Sequence, residues 1–349
     1  MFSKLRFALL IVTLGSLVFG CGREQADNTS PTKPTPPQAS ANSPKELQVT
    51  PPAAIATLSS LDGVTHANKP YKIVLIVKTR NNPFFTPMIA AFEKTAKELG
   101  AESEVQAPPQ EMDTEKQFAL VQTEISKGVQ AICIAPADSK GIVPALKSAL
   151  DKGIVVINLD NRVDAATARS QNTALGGYVG ADNEAGGKLA GEAMLAALKG
   201  KGNVAILEGK RGVDNAEARK RGFTKAVSGK LIIAASEEAE WDTEKAYKKT
   251  QNILAAHPDI VGIFCANDKM AIGTMKAVEE AGKKGKITVI GYDNIPDVKP
   301  ALASGAMAAT IEQHPDSMGK YGVKMAVGIL NGSIAKGGEI LVPLDTIKK

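Results

Sequence analysis

Lys72-Ile73-Val74-Leu75-Ile76-Val77 is an apolar run behind a single lysine, and it ends abruptly in Lys78-Thr79-Arg80-Asn81-Asn82-Pro83-Phe84-Phe85. A short apolar run with polar and turn residues at its end predicts a strand that is buried on both faces of a parallel sheet. In an open parallel α/β sheet, ligands bind at the carboxyl ends of the strands. The amides and paired aromatics after this run therefore predict a site for a small, uncharged, hydroxyl-rich ligand, which points to a sugar.

The same arrangement recurs further along the chain. Apolar runs end in Asn158-Leu159-Asp160, in Cys265-Ala266-Asn267-Asp268 and in Gly291-Tyr292-Asp293. Further strands are predicted near Ala131–Ala135, Ile154–Leu159, Asn203–Leu207, Leu231–Ala235, Val261–Cys265 and Ile287–Gly291. Stretches of helical period separate them, and this alternation predicts parallel sheets with helices on both faces. Because the strands are too many for one sheet and the pattern restarts near Ala181, we predict two doubly wound α/β lobes.

The first predicted helix shows the helix signals most clearly. Thr86 can cap it and Pro87 suits its first turn, where no N–H is needed. Four apolar residues then fall on one face at helical spacing, and Gly100 follows as a stop.

Composition and charge narrow the class of protein. The chain has 349 residues, of which 44% are hydrophobic and 23% charged, as is typical of a soluble globular protein. A net charge of +5 gives no footprint for nucleic acid, which needs clustered Lys and Arg. Cys133 and Cys265 lie in separate apolar runs, which predicts buried thiols rather than a disulfide. The three histidines are far apart, and no phosphate-binding glycine loop follows a strand, so we expect neither a metal nor a cofactor.

The first residues have the pattern of an export signal. Lys4 and Arg6 precede an apolar stretch, and Val18-Phe19-Gly20-Cys21 resembles a bacterial lipoprotein cleavage box, with Cys21 as the lipidated residue. An ordinary signal peptide that is cut elsewhere is the alternative. Residues 22–69 are rich in Pro, Thr, Ser, Asn and Ala, which predicts a disordered or extended tether that holds the folded part away from a membrane.

From about Tyr71 onward the chain resembles the periplasmic sugar-binding proteins of the ribose-binding and allose-binding type, which serve ABC transporters and, in some cases, chemoreceptors. Seven motifs in the family's order carry the resemblance: Asn81-Asn82-Pro83-Phe84-Phe85, Leu159-Asp160, Glu217-Ala218-Arg219, Ala239-Glu240-Trp241-Asp242, Cys265-Ala266-Asn267-Asp268, Gly291-Tyr292-Asp293 and Ala309-Thr310-Ile311-Glu312-Gln313. The resemblance implies a type I periplasmic binding protein, with two lobes joined by a three-strand hinge. By this resemblance the N-terminal lobe takes residues 70–180 and 314–340, and the C-terminal lobe takes residues 181–313 and 341–349.

The resemblance also implies the ligand-binding residues. Aromatic rings suit the C–H faces of a sugar, and Phe84, Phe85 and Trp241 match the family's aromatic positions. Polar groups suit the hydroxyl rim, and the residues that match are Asn82, Asp160, Arg219, Asn267, Asp293 and Gln313. Two structural alternatives stay open, namely core packing for Phe84 and helix capping for Asp160 and Asp293.

Three departures from the family's ribose binders bear on the ligand. Asn161 follows Asp160 where ribose binders have Arg, and an Arg comes only at position 162. Lys78 stands where they have a small hydroxyl residue and where allose-like members have Lys, and Leu207-Glu208-Gly209-Lys210 also looks allose-like. These departures argue against ribose and favour a hexose, or a polyol such as an inositol.

Two other classes of function are weaker. Asp160 and Asp293 could be the paired carboxylates of a glycosidase, but the family match assigns them to hydroxyl binding. Sugar-responsive repressors share the two-lobe core, but they carry a DNA-binding head where this chain has a leader and a tether.

We therefore expect an exported, non-enzymatic, monomeric solute-binding protein, in the periplasm or outside the cell. A lipid on Cys21 would anchor it to a membrane. It would close on one monosaccharide or polyol and deliver it to an ABC transporter permease. A sensor component that feeds a chemoreceptor or a kinase is the alternative.

Overall fold

The computed structural model describes residues 55–349 of the chain. The predicted leader, Cys21 and the tether up to residue 54 lie outside the described residues. Within the described range, no helix combines the length and the apolar character that crossing a membrane requires.

Strands and helices alternate along most of this range. The strands are β1 (Lys72–Ile76), β2 (Glu102–Gln106), β3 (Ala131–Ile134), β4 (Val155–Leu159), β5 (Gly177–Gly180), β6 (Asn203–Glu208), β7 (Ile232–Glu238), β8 (Ile260–Cys265), β9 (Thr288–Ile290), β10 (Thr310–Glu312), β11 (Gly338–Leu341) and β12 (Asp345–Ile347). The helices are α1 (Leu58–Asp62), α2 (Phe85–Leu99), α3 (Thr114–Lys127), α4 (Val143–Asp151), α5 (Ala165–Ser170), α6 (Asn183–Leu198), α7 (Asp214–Val227), α8 (Thr243–Ala256), α9 (Asp268–Glu280), α10 (Lys299–Ser304) and α11 (Pro315–Asn331), with a 3₁₀ turn at Pro296–Val298.

Two sheets organise these elements. The first has six parallel strands in the order β11-β5-β4-β3-β1-β2, and the second has four parallel strands in the order β7-β6-β8-β9. Helices cover both faces of each sheet, because β1, β3 and β4 of the first sheet and β6 and β8 of the second have buried side chains on both faces. The prediction of two doubly wound parallel-sheet lobes is confirmed.

The chain passes between the two lobes three times. It leaves the first sheet after β5, returns between β10 and α11, and leaves again after β11. β10 and β12 form an antiparallel pair beside the second and third passages. His314 Nε2 lies 2.8 Å from Asp345 Oδ2, so a side-chain contact joins the same two passages.

The end of the predicted tether is part of the fold, which corrects the prediction for residues 55–69. Thr57 caps α1 through its side chain, and Leu61 is fully buried. The Lys324 Nζ atom donates to the carbonyl oxygens of Leu61 and Asp62, and Asn331 bonds the backbone of His66 and Asn68. A few apolar residues and a capping box were enough to dock this segment on α11, in spite of its polar surroundings.

Helices α6 and α7 pack closely in the second lobe. A Cβ atom at Gly187 of α6 would lie 2.1 Å from the Arg219 carbonyl oxygen of α7, so only glycine fits at this contact. The close packing fixes α7, and with it the Arg219 side chain, against the body of the lobe.

Candidate functional site

The carboxyl ends of the two sheets face one narrow cavity between the lobes. All ten side chains that the sequence predicted as ligand-binding line it, together with two that it missed, Glu111 and Asn215. The predicted residues are Lys78, Asn82, Phe84, Phe85, Asp160, Arg219, Trp241, Asn267, Asp293 and Gln313. Each of the ten is buried.

Lys78 and Asp160 form an ion pair on the first-lobe side. Lys78 follows β1, Asp160 follows β4, and their Nζ and Oδ2 atoms are 3.2 Å apart. Asp160 has a φ of 56°, and its carbonyl oxygen accepts a hydrogen bond from the Tyr178 hydroxyl at 2.8 Å. Since a buried charge is costly without a partner, the pair explains how both groups can lie at the cavity wall.

The Asn82 side chain organises the turn before α2. Its Oδ1 atom accepts from the Phe84 N–H at 3.1 Å, and its Nδ2 atom donates to Glu111 Oε2 at 3.2 Å. Helix α2 begins at Phe85, so Thr86 lies inside it and the prediction of Thr86 as the cap was wrong. The turn places the Phe84 and Phe85 rings edge to face, with centroids 5.0 Å apart, and both rings reach the cavity.

Glu111 is the first residue that sequence reasoning missed. It lies in the loop between β2 and α3, which contains neither an apolar run nor a helical period. Burial raises the pKa of its carboxyl above the ordinary value, although Lys78 and Lys269 act in the opposite direction. Its place beside Asn82 adds a second carboxyl group to the first-lobe wall.

The Arg219 guanidinium is the centre of the second-lobe wall. Its Nε donates to Asn183 Oδ1 at 2.8 Å, one terminal nitrogen donates to the Ala266 carbonyl oxygen at 2.8 Å, and the other donates to Gln313 Oε1 at 3.3 Å. The Tyr292 ring lies flat against it, with 3.7 Å from Cζ to the ring centroid. The planar fork is thus held from several sides before any ligand is considered.

Asp293 joins this network from the loop after β9. Its Oδ1 atom accepts from Gln313 Nε2 at 2.7 Å and lies 3.7 Å from a terminal nitrogen of Arg219. Burial raises the pKa of Asp293 well above the ordinary value, although the Arg219 charge acts against this. Neither Asp160 nor Asp293 caps a helix, because Asp164 is the cap of α5 and Ile295 is the residue before the 3₁₀ turn at Pro296–Val298.

Asp268 supports the loop that carries Asp293. Its Oδ1 atom accepts from the Tyr292 N–H at 2.9 Å and from the Thr310 hydroxyl at 2.8 Å, and its Oδ2 atom accepts from the Ile295 N–H at 3.0 Å. Burial raises the pKa of this carboxyl to about 7, although these hydrogen bonds act to lower it. The neighbouring Asn267 caps α9 by accepting from the Met270 N–H at 2.9 Å, which leaves its amide nitrogen for other partners.

The Trp241 ring closes the cavity from the second lobe. Glu240 and Trp241 both have positive φ angles, 50° and 64°, in a sharp turn before α8. A Cβ atom at Gly209 would lie 2.1 Å from the ring, so the glycine makes room for it. The ring is only 3% exposed, and its centroid lies 5.8 Å from Lys78 Nζ and 5.7 Å from Arg219 Cζ. The ring therefore lines the cavity and at the same time belongs to the buried hydrophobic cluster behind it.

Asn215 is the second residue that sequence reasoning missed. Its Oδ1 atom is buried and has no hydrogen-bond partner among the described residues, and the side chain lines the cavity. An unpaired buried polar atom costs about 1–3 kcal/mol, which a ligand hydroxyl could recover. Its position four residues before Arg219 puts both on one face of α7, and this spacing was the available sequence signal.

The wall therefore combines aromatic faces with charged and amide groups, most of which already have partners, Asn215 Oδ1 being the exception. Paired charges accept and donate hydrogen bonds without carrying a net charge into the cavity, which suits a neutral, hydroxylated ligand. Within residues 55–349 no three His, Cys, Asp or Glu side chains are grouped so that they could hold a metal ion.

Comparison with known proteins agrees with this geometry. Residues 73–334 match the family model described as a periplasmic binding protein domain. The chain is 36% identical over 290 residues to the D-ribose/D-allose-binding protein of Pseudomonas aeruginosa, covering 81% of this chain and 91% of that one. It is 35% identical over 292 residues to the D-allose-binding periplasmic protein of Escherichia coli, covering 83% and 92%. A solved ABC transporter solute-binding protein from Actinobacillus succinogenes with bound D-allose superposes with a TM-score of 0.76 at 40% identity, covering 80% and 98%.

Proposed function

The chain belongs to the periplasmic binding protein family, and we propose that it captures one monosaccharide between its lobes and delivers it to an ABC importer. The observation that carries the proposal is the buried cavity, to which both lobes contribute aromatic rings and paired polar groups. A sugar that bridges these groups would stabilise the closed arrangement of the lobes, which a transporter can recognise by its shape.

We propose a hexose of the allose type as the ligand. The relatives named for allose and the solved structure with bound D-allose support this class. The Lys78–Asp160 pair supports it too, since a long cationic side chain can reach a sugar hydroxyl that a small hydroxyl residue could touch only if the sugar lay closer. Ribose is the second candidate by the same relatives, and an inositol is the polyol to include in a test.

The binding roles of the ten predicted residues, and of Glu111 and Asn215, are part of this proposal. Phe84, Phe85 and Trp241 would cover the C–H faces of the sugar, where burial removes apolar surface from water. The polar residues would pair with its hydroxyls, and the unpartnered Asn215 Oδ1 is the atom most in need of such a donor.

Export and anchoring complete the proposal. We propose that residues 1–21 form a lipoprotein signal, that Cys21 carries the lipid and that the protein works as a monomer in the periplasm or at the cell exterior. We also propose lobe limits at residues 180, 313 and 340. Metabolic labelling with a fatty acid tests the anchor, with Cys21→Ala as the variant that should lose the label.

A ligand panel tests the binding proposal directly. Trp241 is the only tryptophan of the chain, so its fluorescence reports on the proposed site. We expect D-allose or a related hexose to give a saturable change, and calorimetry to confirm one ligand per chain. If hexoses, pentoses and inositols all leave a demonstrably folded protein unchanged, the proposal is wrong.

We propose that no chemical step follows capture, because Asp160 and Asp293 are each paired with a cation that favours hydroxyl binding. Incubation with glycosides, followed by analysis for released sugar, tests this. Turnover that disappears in Asp293→Asn would contradict it.

A further inference from the structure

Helix α7, which carries Asn215 and Arg219, begins without a cap from its own segment. Val213 precedes the helix and offers no side-chain hydrogen bond to the first turn. The first amides of any helix lack partners inside the helix and need acceptors from elsewhere. The start of α7 therefore depends on groups outside its own sequence.

Two side chains of the first lobe supply the acceptors. The Asp214 N–H donates to Ser139 Oγ at 3.0 Å, and the Asn215 N–H donates to Asn161 Oδ1 at 3.2 Å. Ser139 follows β3 and Asn161 follows β4, so both hydrogen bonds cross from one lobe to the other. They can exist only while the lobes are closed.

The two acceptors are held in place within the first lobe. Asn161 Nδ2 donates to the Pro136 carbonyl oxygen at 3.0 Å and to Ser139 Oγ at 3.3 Å. Asn158 Nδ2 donates to the Asn161 carbonyl oxygen at 2.8 Å. Ser139 is 3% exposed and Asn161 fully buried, so water does not compete for these contacts.

We propose that Ser139 and Asn161 are positioning residues that cap α7 across the cleft and thereby retain the bound sugar. The inference rests on the proposed function. It gives a role to Asn161, which stands where ribose binders have Arg. The Asn161 side chain accepts a hydrogen bond from the first turn of α7, the helix that presents Asn215 to the cavity. The backbone of Asn215 is bound to the first lobe, while its side-chain oxygen faces the ligand space.

The capping contact should act mainly on the rate of release. The hydrogen bonds form after the sugar has entered and the lobes have closed, so their loss favours reopening. We expect Ser139→Ala and Asn161→Ala each to raise the dissociation rate about 3- to 10-fold, with little change in the association rate. Because the two side chains are hydrogen-bonded to each other, the dissociation rate of the double variant should rise by less than the product of the two single increases.

Stopped-flow Trp241 fluorescence with D-allose measures both rates. Ser139→Thr keeps the hydroxyl and should release the sugar close to the wild-type rate. Ser170→Ala is the matched control, because it removes an exposed serine from the same lobe and should change nothing. Equal dissociation rates in wild type, Ser139→Ala and Asn161→Ala, with circular dichroism showing intact folds, would refute the positioning role.

Hydrogen exchange separates this inference from the proposed function. If the wild type binds no sugar of the panel, the proposed function fails and the retention role fails with it; if the wild type binds D-allose, exchange of the Asp214 and Asn215 amides in the sugar-bound chain decides on the cap alone. Faster exchange of these two amides in the double variant than in wild type supports the cross-lobe cap. The same rates in both proteins overturn it.

Discussion

The two walls of the cavity differ in how far their polar groups are already bound by the protein. In the second lobe, Arg219 uses all three of its nitrogens on Asn183, Ala266 and Gln313, and Gln313 in turn bonds Asp293. In the first lobe, Lys78 has one ion-pair partner, Asp160, and Glu111 and Asn82 stand on loops. The second wall is preorganised by a network, whereas the first is built from isolated pairs.

This difference suggests a division of labour in ligand recognition. A preorganised wall loses little conformational freedom on binding, so it should supply most of the affinity. In a wall of isolated pairs, one pair can be substituted without disturbing the others, so we expect this wall to determine which sugar is preferred. Of the three departures from ribose binders, those at Lys78 and Asn161 lie on the first-lobe side, and the stretch Leu207-Glu208-Gly209-Lys210 lies in the second lobe.

The largest expected effect comes from breaking the preorganised network. Arg219→Ala would leave Asp293 buried without its cation, and losses of this kind cost about 3–5 kcal/mol. We expect sugar affinity to fall by a factor of about 100 or more, measured by calorimetry. Arg221→Ala, on the same helix but exposed and bonded to Glu184, is the control and should bind normally. A small effect of Arg219→Ala would remove the distinction between the walls.

A smaller and more selective effect should follow from changing the first wall. Lys78→Ser shortens a side chain that fills the cavity wall and leaves Asp160 unpaired. We expect about a tenfold loss of hexose affinity and a smaller loss for ribose, so that the preference between them narrows. Titration of both sugars measures this, with the exposed Lys94→Ser as the control. An equal loss for both sugars would argue that Lys78 sets affinity rather than choice.

The last expected effect is on stability rather than on sugar affinity, and it concerns the support behind the second wall. The folded-state pKa of Asp268 is raised to about 7, so the folded protein holds a proton that the unfolded chain releases near pH 4. Its contribution therefore lowers the free energy of unfolding as the pH rises from about 4 to about 7, by at most about 1.4 kcal/mol per pH unit. Asp268→Asn cannot titrate, and its stability should vary less over this range.

Urea unfolding at several pH values checks the Asp268 prediction. The control is Asp297→Asn, which changes an exposed aspartate in the 3₁₀ turn just after the loop that Asp268 supports. Its free energy of unfolding should keep the wild-type pH dependence. Parallel pH curves for wild type and Asp268→Asn would show that another group is responsible.

Sequence reasoning reached the ten predicted residues because each follows a strand or belongs to a motif in recognisable order. The same reasoning failed where these signals are absent. β2 is a polar edge strand, Glu-Ser-Glu-Val-Gln, and the loop after it carries Glu111. β5 is only Gly-Tyr-Val-Gly and was not predicted as a strand.

Contacts between segments that are distant in sequence could not be predicted from local sequence patterns. Asn215 gained its position from a hydrogen bond to Asn161, 54 residues away. Residues 55–69 looked like a continuation of the tether because only their contacts with α11 show that they are folded. Local sequence patterns indicate most strands, helix ends and binding residues, but contacts between the lobes depend on the assembled fold.

The paired passages between the lobes have a mechanical consequence. β10 and β12 are hydrogen-bonded to each other, and His314 meets Asp345 beside them, so two of the three passages must bend as one ribbon. With only the passage after β5 bending separately, twisting and sideways sliding of the lobes are resisted. Opening is thereby restricted to rotation about a nearly fixed axis, and the two walls meet again in the same register each time they close.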